Sequence, residues 1–336
     1  MRRVRRLTLL AGATLLTATG LLLRSAGDQQ DDGLAAGALP SAAVPLTGCT
    51  CQRPLPSGAR RVVSTCAGFA TLRGPDQWVV SFSWFGGVDG AYFAGIAANA
   101  ARMTRVYPGW VMRVYYSDPD GLLLPSLCPL ACRYTHLDFC EVSGAAQLAS
   151  QPGVLWRFLP LTDPAVERFI SRDLDSLIGQ RERDAVQEWI ESGKTIHVIR
   201  DHPLHAVSIL AGAWGAWNKR SDIYRPFHER LVADSDVEHK AFRWGEDQVR
   251  LEGLVYRPAA AAGDVLEHDS YFCGQFGAFR PFPSRRDLGT FPHFVGDRVL
   301  LRDFERERVT REDWLFYIRK CPPKCRPPQH VDWLWC

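Results

Sequence analysis

A chain of 336 residues with 46% apolar and 11% aromatic residues can bury a large core, which excludes a disordered or fibrous protein. Its formal net charge is only +3, and no basic face or aromatic-basic repeat stands out, so nucleic acid is not an expected partner. The basic residues are overwhelmingly Arg, with Lys only at 194, 219, 240, 320 and 324.

The chain opens with "MRRVRR", Met1 to Arg6, and an uncharged run from Leu7 to Leu23 that Arg24 closes. A helix of that length rises about 26 Å, at the short end for a bilayer span. Basic residues ahead of it predict a cytosolic tail (1–6), a signal-anchor (7–23) and a lumenal remainder, the orientation of a single-pass type II protein of the Golgi or secretory pathway. A cleaved signal peptide, giving a secreted protein, is the alternative, but "LLLRSAG" matches a cleavage site poorly. Residues 24–48 are rich in Ala, Gly, Pro and Asp and read as a flexible stem. The folded domain is expected over 49–320, with a Cys/Pro/Trp-rich tail over 321–336.

Ten cysteines, at 49, 51, 66, 128, 132, 140, 273, 321, 325 and 336, form no Cys-x-x-Cys pair. An even count without that spacing points to disulfides in an oxidising lumen rather than to zinc, and leaves the pairing open. There is no Asn-x-Ser/Thr sequon.

Within the folded part, "QWVVSFSWFG" (Gln77 to Gly86) reads as a buried strand. "AYFAGIAANAARMTRVYP" follows as a helix that stops at Pro108, and "WVMRVYYSD" as a second strand. Strand, helix, strand over about forty residues is a βαβ unit and predicts a parallel sheet with a right-handed crossover. A second round starts at "VLWRFLPL", Val154 to Leu161, followed by "AVERFISRD". Ala185, Val186, Trp189 and Ile190 then make one apolar helix face that Gly193 would cap, and "TIHVI" resumes the sheet. The region beyond is less periodic. The expected class is α/β, a mainly parallel sheet flanked by helices.

Asp173-Leu174-Asp175 therefore falls at the carboxyl end of a strand, the edge where open α/β sheets bind ligands. Two carboxylates at i and i+2 in such a turn can converge on one hard cation, Mn²⁺ or Mg²⁺, with substrate phosphate completing the shell. Capping of the following helix is the competing reading. Asp118/Asp120 and Asp234/Asp236 repeat the spacing, but in polar or Pro/Gly-rich turn contexts that suit solvated carboxylates.

The segments "VVSFSWFG", "YPGWVMRVYY", "WRFLPLTDPAVERFISRDLDS", "RERDAVQEWIESGKTIHVIRDHPLHAVSILAGAWG" and "HDSYFC…PFPSRR…FVG" together resemble a family of GT-A-type glycosyltransferase-like proteins, over about Val79 to Gly296. The resemblance implies a GT-A-like fold and a metal-dependent transferase using a nucleotide sugar. Carried over by position, it implies Asp173 at the ribose and metal, Asp175 at the metal and diphosphate, and Arg172 at the donor. Ser81, Phe82, Ser83 and Gly86 would border the base. Leu177 and Ala211 stand where the family pattern has Arg and Gly.

The resemblance favours a donor site in which Arg200 and Asp201, beside His202, bind sugar hydroxyls and Gly212 and Trp214 wall the pocket; the alternative is a buried salt-bridged turn with a satisfied His. Asp247-Gln248, in "GEDQV", resembles the pair that retaining members place beneath the anomeric carbon; an ordinary helix N-terminus explains it as well. For inversion, Asp247 or Asp201 would serve as base. His268 resembles a late metal ligand, with a surface His as the alternative, and Arg280, Arg285 and Arg286 could reach a diphosphate or an anionic acceptor. The expected activity is transfer of a hexose from a UDP-sugar to a glycan or glycoprotein. The alternatives are a metal-dependent diphosphate or phosphoester hydrolase and a non-catalytic carbohydrate-binding protein.

Overall fold

The computed structural model describes residues 44–45, 48–54, 61–66, 68–144, 151–218, 225–226, 229–230, 245–299 and 319–336. The expected tail, signal-anchor and most of the stem, and Asp234/Asp236, lie outside the described residues. Among those described, no helix is long and apolar enough to cross a membrane.

Two short strands, β1 (Val44–Pro45) and β2 (Gln52–Arg53), pair antiparallel ahead of helix α1 (Gly68–Leu72). The predicted βαβ unit follows as β3 (Gln77–Ser83), α2 (Ala91–Val106) and β4 (Val111–Tyr116), with β3 and β4 parallel and Val79 opposite Val111. Every residue of β4 and all but one of β3 are buried, as expected for parallel strands covered on both faces. Helix α3 (Leu124–Arg133) and strand β5 (Leu137–Glu141) extend the sheet on that side.

The apolar run Val154–Leu161, which opens the second round in sequence, is a 3-10 helix, Gly153–Thr162, and not a strand. Pro160 denies it a ladder donor, Pro152 stands at its N-cap, and its Leu155, Phe158 and Leu161 pack on one face of the sheet instead. Strand β6 (Val166–Arg172), helix α4 (Gln180–Ser192) and strand β7 (Ile196–Arg200) then follow. Gly193 ends α4 in the left-handed conformation, φ 67°. Strand β8 (Ala213–Trp217) runs antiparallel between β6 and β7, and helix α5 (Glu246–Leu251) leads through a wider turn to β9 (Val265–Asp269) and β10 (Phe279–Arg280). The eight-stranded order is β10-β9-β7-β8-β6-β3-β4-β5, parallel except at β8.

Alternate side chains serve the two faces. Val80, Phe82, Met112, Val114 and Ile170 meet Ile96, Ala100 and Met103 of α2 and Val186 and Trp189 of α4. Val79, Phe169 and Val198 meet the 3-10 helix together with Leu251 and Val255. The result is a three-layer α/β architecture whose strand ends Ser83, Arg172 and Arg200 share one edge with the start of β8.

All ten cysteines are paired: Cys49–Cys128, Cys51–Cys132, Cys66–Cys140, Cys273–Cys325 and Cys321–Cys336. Cys128 and Cys132 lie one turn apart on α3 and so on one side of it, and Cys49 and Cys51, two residues apart in the bend before β2, reach them. Five disulfides fit an oxidising secretory or extracellular environment.

Candidate active site

The turn after β6 is held from behind. Leu174 is buried in the core, and Gly95 of α2 comes so close to the Leu174 carbonyl that no side chain would fit at position 95. Asn99, one turn further along α2, donates from Nδ2 to the Ser176 carbonyl at 3.1 Å and accepts from the Ile178 amide at 3.0 Å. These contacts turn Leu174 inward and leave Asp173 and Asp175 facing a cleft of about 540 Å³. Helix α4 begins only at Gln180, with Gly179 at its cap, so neither acid caps it.

Gly212, just before β8, Ser83 at the end of β3, and Asp247 and Gln248 in the first turn of α5 line the same cleft. Arg157 of the 3-10 helix joins the two carboxylate groups. One terminal nitrogen pairs with Asp173 Oδ1, and the other donates to Asp247 Oδ2 at 2.9 Å. The Arg157 backbone N–H donates to Ser83 Oγ at 2.8 Å, which ties that helix to the strand end.

Asp175 pairs with Arg298 at 2.6 Å, an exposed side chain. Burial pushes the Asp175 carboxyl up, the Asp173 charge adds to the effect, and Arg298 opposes both. Tyr92 on the cleft wall is raised by burial and by Asp175. His205, also on the wall, is pushed down to about 3, first by burial and then by His202.

Two carboxylates whose like charges disfavour each other suit a hard divalent cation, with water and substrate oxygens completing its shell. Asp173 is the open member, its side chain 44% exposed against 11% for Asp175. Among the described residues there is no group of three or more His, Cys, Asp or Glu side chains placed to hold a metal. Asp173 and Asp175 are the side chains that could contribute to holding a cation in this cleft.

No protein-family profile matches the chain, and no curated protein matches it. Among solved structures it is similar to 4-diphosphocytidyl-2C-methyl-D-erythritol synthase from Anaerococcus prevotii DSM 20548, at 10% identity and TM-score 0.37, over 57% of this chain and 87% of that one. It is also similar to the apo form of mouse xyloside xylosyltransferase 1, at 11% identity and TM-score 0.34, over 60% of this chain and 89% of that one.

The remaining residues named from sequence sit elsewhere. Ser81 and Phe82 are fully buried within β3, and Gly86 lies in the exposed turn beyond it. Arg172 is buried behind the cleft, where it donates to the Gly212 carbonyl at 2.6 Å and pairs with Glu182 at 3.1 Å. Trp214 packs between the rings of Phe158 and Phe169 in the core.

Arg200 and Asp201 belong to a buried charge network at the ends of β7 and β9. Arg200 pairs with Asp269 at 2.7 Å and with Glu267. Asp201 accepts from Arg181, Arg286, Ser270 and the Val295 amide. His202 is buried against Phe294, with ring centroids 4.4 Å apart. Both ring nitrogens of His268 are engaged, Nδ1 with His197 Nε2 and Nε2 with Glu188 Oε2, each at 2.8 Å, and burial pushes its imidazole down. None of these side chains lines the cleft.

The sequence reading missed Arg157. Its signal is a single cation inside the otherwise apolar run "VLWRFLPL", which only a buried counter-charge would allow.

Proposed function

We propose that the cleft takes a UDP-sugar with Mn²⁺ or Mg²⁺ and that the protein transfers a hexose from it to a glycan or glycoprotein acceptor. One observation carries this reading: Arg157 links Asp173 to Asp247, so a carboxylate pair suited to a cation and a second acid face one cavity at the carboxyl edge of the sheet.

In this reading Asp173 and Asp175 hold the cation, which supplies Lewis-acid stabilisation of the departing diphosphate. Arg157 places a fixed positive charge beside them, where leaving-group charge develops. Asp247 keeps one oxygen on Arg157 and the other on the Gln248 amide at 2.9 Å, so its carboxylate is oriented before substrate arrives. From there Asp247, with the Gln248 side chain next to it, either stabilises positive charge at the reacting carbon, giving retention, or accepts the acceptor hydroxyl proton. Gly212 leaves room beside Asp173 that a side chain would fill. Asp201 has no part in the step, because its carboxylate is fully buried and its oxygens are already bound. The N-terminal signal-anchor and a Golgi location complete the proposal, with five disulfides in support.

The test is calorimetric binding of UDP to the full chain with Mn²⁺ or with EDTA, repeated on Asp175→Asn. Binding that needs both the ion and the carboxylate supports the reading. Well-folded protein that ignores UDP under all these conditions removes it.

A further inference from the structure

A second cavity, of about 550 Å³, shares no lining residue with the first; the chain passes between them at Asp175 to Leu177 and at Val295 to Gly296. Its cations are unusual. Arg102 and Arg105, three residues apart on α2, lie on one helix face, and Arg285 faces them from the loop after β10. Arg102 donates only to neutral carbonyls, Ile178 O at 3.2 Å and Phe291 O at 3.3 Å. Among the described residues, no carboxylate pairs with any of the three.

Of the other charges lining the cavity, Arg181 and Glu182 have opposite charges as partners, whereas Asp184 and Asp287 have neutral hydrogen-bond donors, so three cations face two carboxylates. Arg181 is neutralised by Asp201, and Glu182 by Arg172. Asp184 accepts from the Gln180 side chain at 2.7 Å, and Asp287 accepts from the Gly289 amide at 2.8 Å. Two further features point the same way. The Ser284 hydroxyl, on the lining, is buried with no hydrogen-bond partner among the described residues. Gly179, at the cap of α4, offers no side chain to the first-turn N–H groups, so the positive end of the helix is open beside the cavity. Burial, and then the Arg105 charge, hold the Arg102 guanidinium below its ordinary pKa.

We infer that this cavity binds a sulfate or phosphate ester carried on a small sugar. Arginine forks match tetrahedral oxyanions, and Leu177, Phe291 and Pro292 supply an apolar wall for a sugar ring. The inference does not depend on the transfer proposed for the other cleft.

Calorimetry on the full chain tests it, with glucose 6-phosphate, glucose 6-sulfate and uncharged glucose as probes. Arg102 braces two carbonyls, so the informative variants are Arg105→Glu and Arg285→Glu, both exposed and unbonded among the described residues. Arg257→Glu is the control, an exposed cation paired with Glu252 away from the cavity. One charged probe should bind, glucose should not, and each of the first two reversals should weaken binding by about tenfold or more, with the control little changed. The tighter probe identifies the ester. Absence of binding by both charged probes, or equal weakening by all three reversals, would overturn the inference.

Discussion

A Cβ on Gly212 would stand 2.5 Å from Cγ of Asp173, and closer still to its Oδ2. The Gly212 carbonyl is held by Arg172 at 2.6 Å, so the backbone has little room to retreat and the carboxylate must yield. Gly212→Ala should therefore swing Asp173 away and, if the cleft takes UDP with Mn²⁺ as proposed, weaken that binding by about tenfold or more. The displaced group is half-exposed, so the melting temperature should move by no more than about 2 °C. Calorimetry and a thermal melt on the same sample check both halves; full retention of UDP binding would dissociate Asp173 from the ligand.

Arg157 holds Asp173 and Asp247 at once. On the proposed reading its guanidinium would compete with a cation for Asp173 in the absence of nucleotide and would face the diphosphate during reaction. Arg157→Ala should tighten Mn²⁺ binding to the nucleotide-free protein yet lower turnover by about a hundredfold. Arg157→Lys should fall in between, because an ammonium lacks the planar fork that reaches two carboxylates. A variant that binds Mn²⁺ more weakly would show that Arg157 shapes the site rather than occupying it.

The β3-α2-β4 unit was legible because parallel strands buried on both faces read as continuous apolar runs, and α4 because its apolar face repeats up to Gly193. The position of Asp173 and Asp175 at the sheet edge followed from that order. The 3-10 helix was not legible, since an apolar run as long as Val154–Leu161 has the length of a buried strand, and only Pro152 before it and Pro160 within it argue otherwise. The reversal at β8 also escaped, because "AWGAW" carries no sign of direction. Arg200, Asp201 and His268 looked like site residues for a general reason: polar groups at strand ends can face a ligand or one another. Their partners Glu267, Arg286 and Glu188 lie far away in sequence, so the fold alone distinguishes the two cases.

Asp201 accepts from Arg181 at 2.9 Å and from Arg286 at 2.7 Å. Burial pushes its carboxyl up, but the two guanidiniums outweigh that and hold it well below the usual carboxylate range. Asp138 beside Arg73 and Arg53, and Asp163 beside Arg113, are lowered against burial in the same way. A carboxylate depressed in the folded state adds stability that is fully present above its unfolded pKa of about 4 and is lost as pH falls toward the folded value. The protein should hold its unfolding free energy above about pH 5 and lose it progressively below. Asp201→Asn should cost about 3–5 kcal/mol at neutral pH, by leaving two buried cations underpaired, and the deficit should shrink below about pH 4. Urea unfolding of both proteins at pH 7, 5 and 3.5 measures this; a deficit that does not change with pH would assign the loss to packing instead of charge.

Cys49–Cys128 and Cys51–Cys132 close nearly the same loop, with sequence separations of 79 and 81. Chain-entropy arithmetic assigns about 4.5 kcal/mol to the first bridge that closes such a loop. With that bridge in place, its neighbour closes a ring of only roughly half a dozen residues, worth about 2 kcal/mol. Replacing either pair with serines should therefore cost about 2 kcal/mol, and replacing both about 7 kcal/mol, well beyond the sum of the single losses. Denaturant unfolding of the three variants decides it. Additive losses would mean that each bridge acts through its own local packing against α3, independent of the loop that the two share.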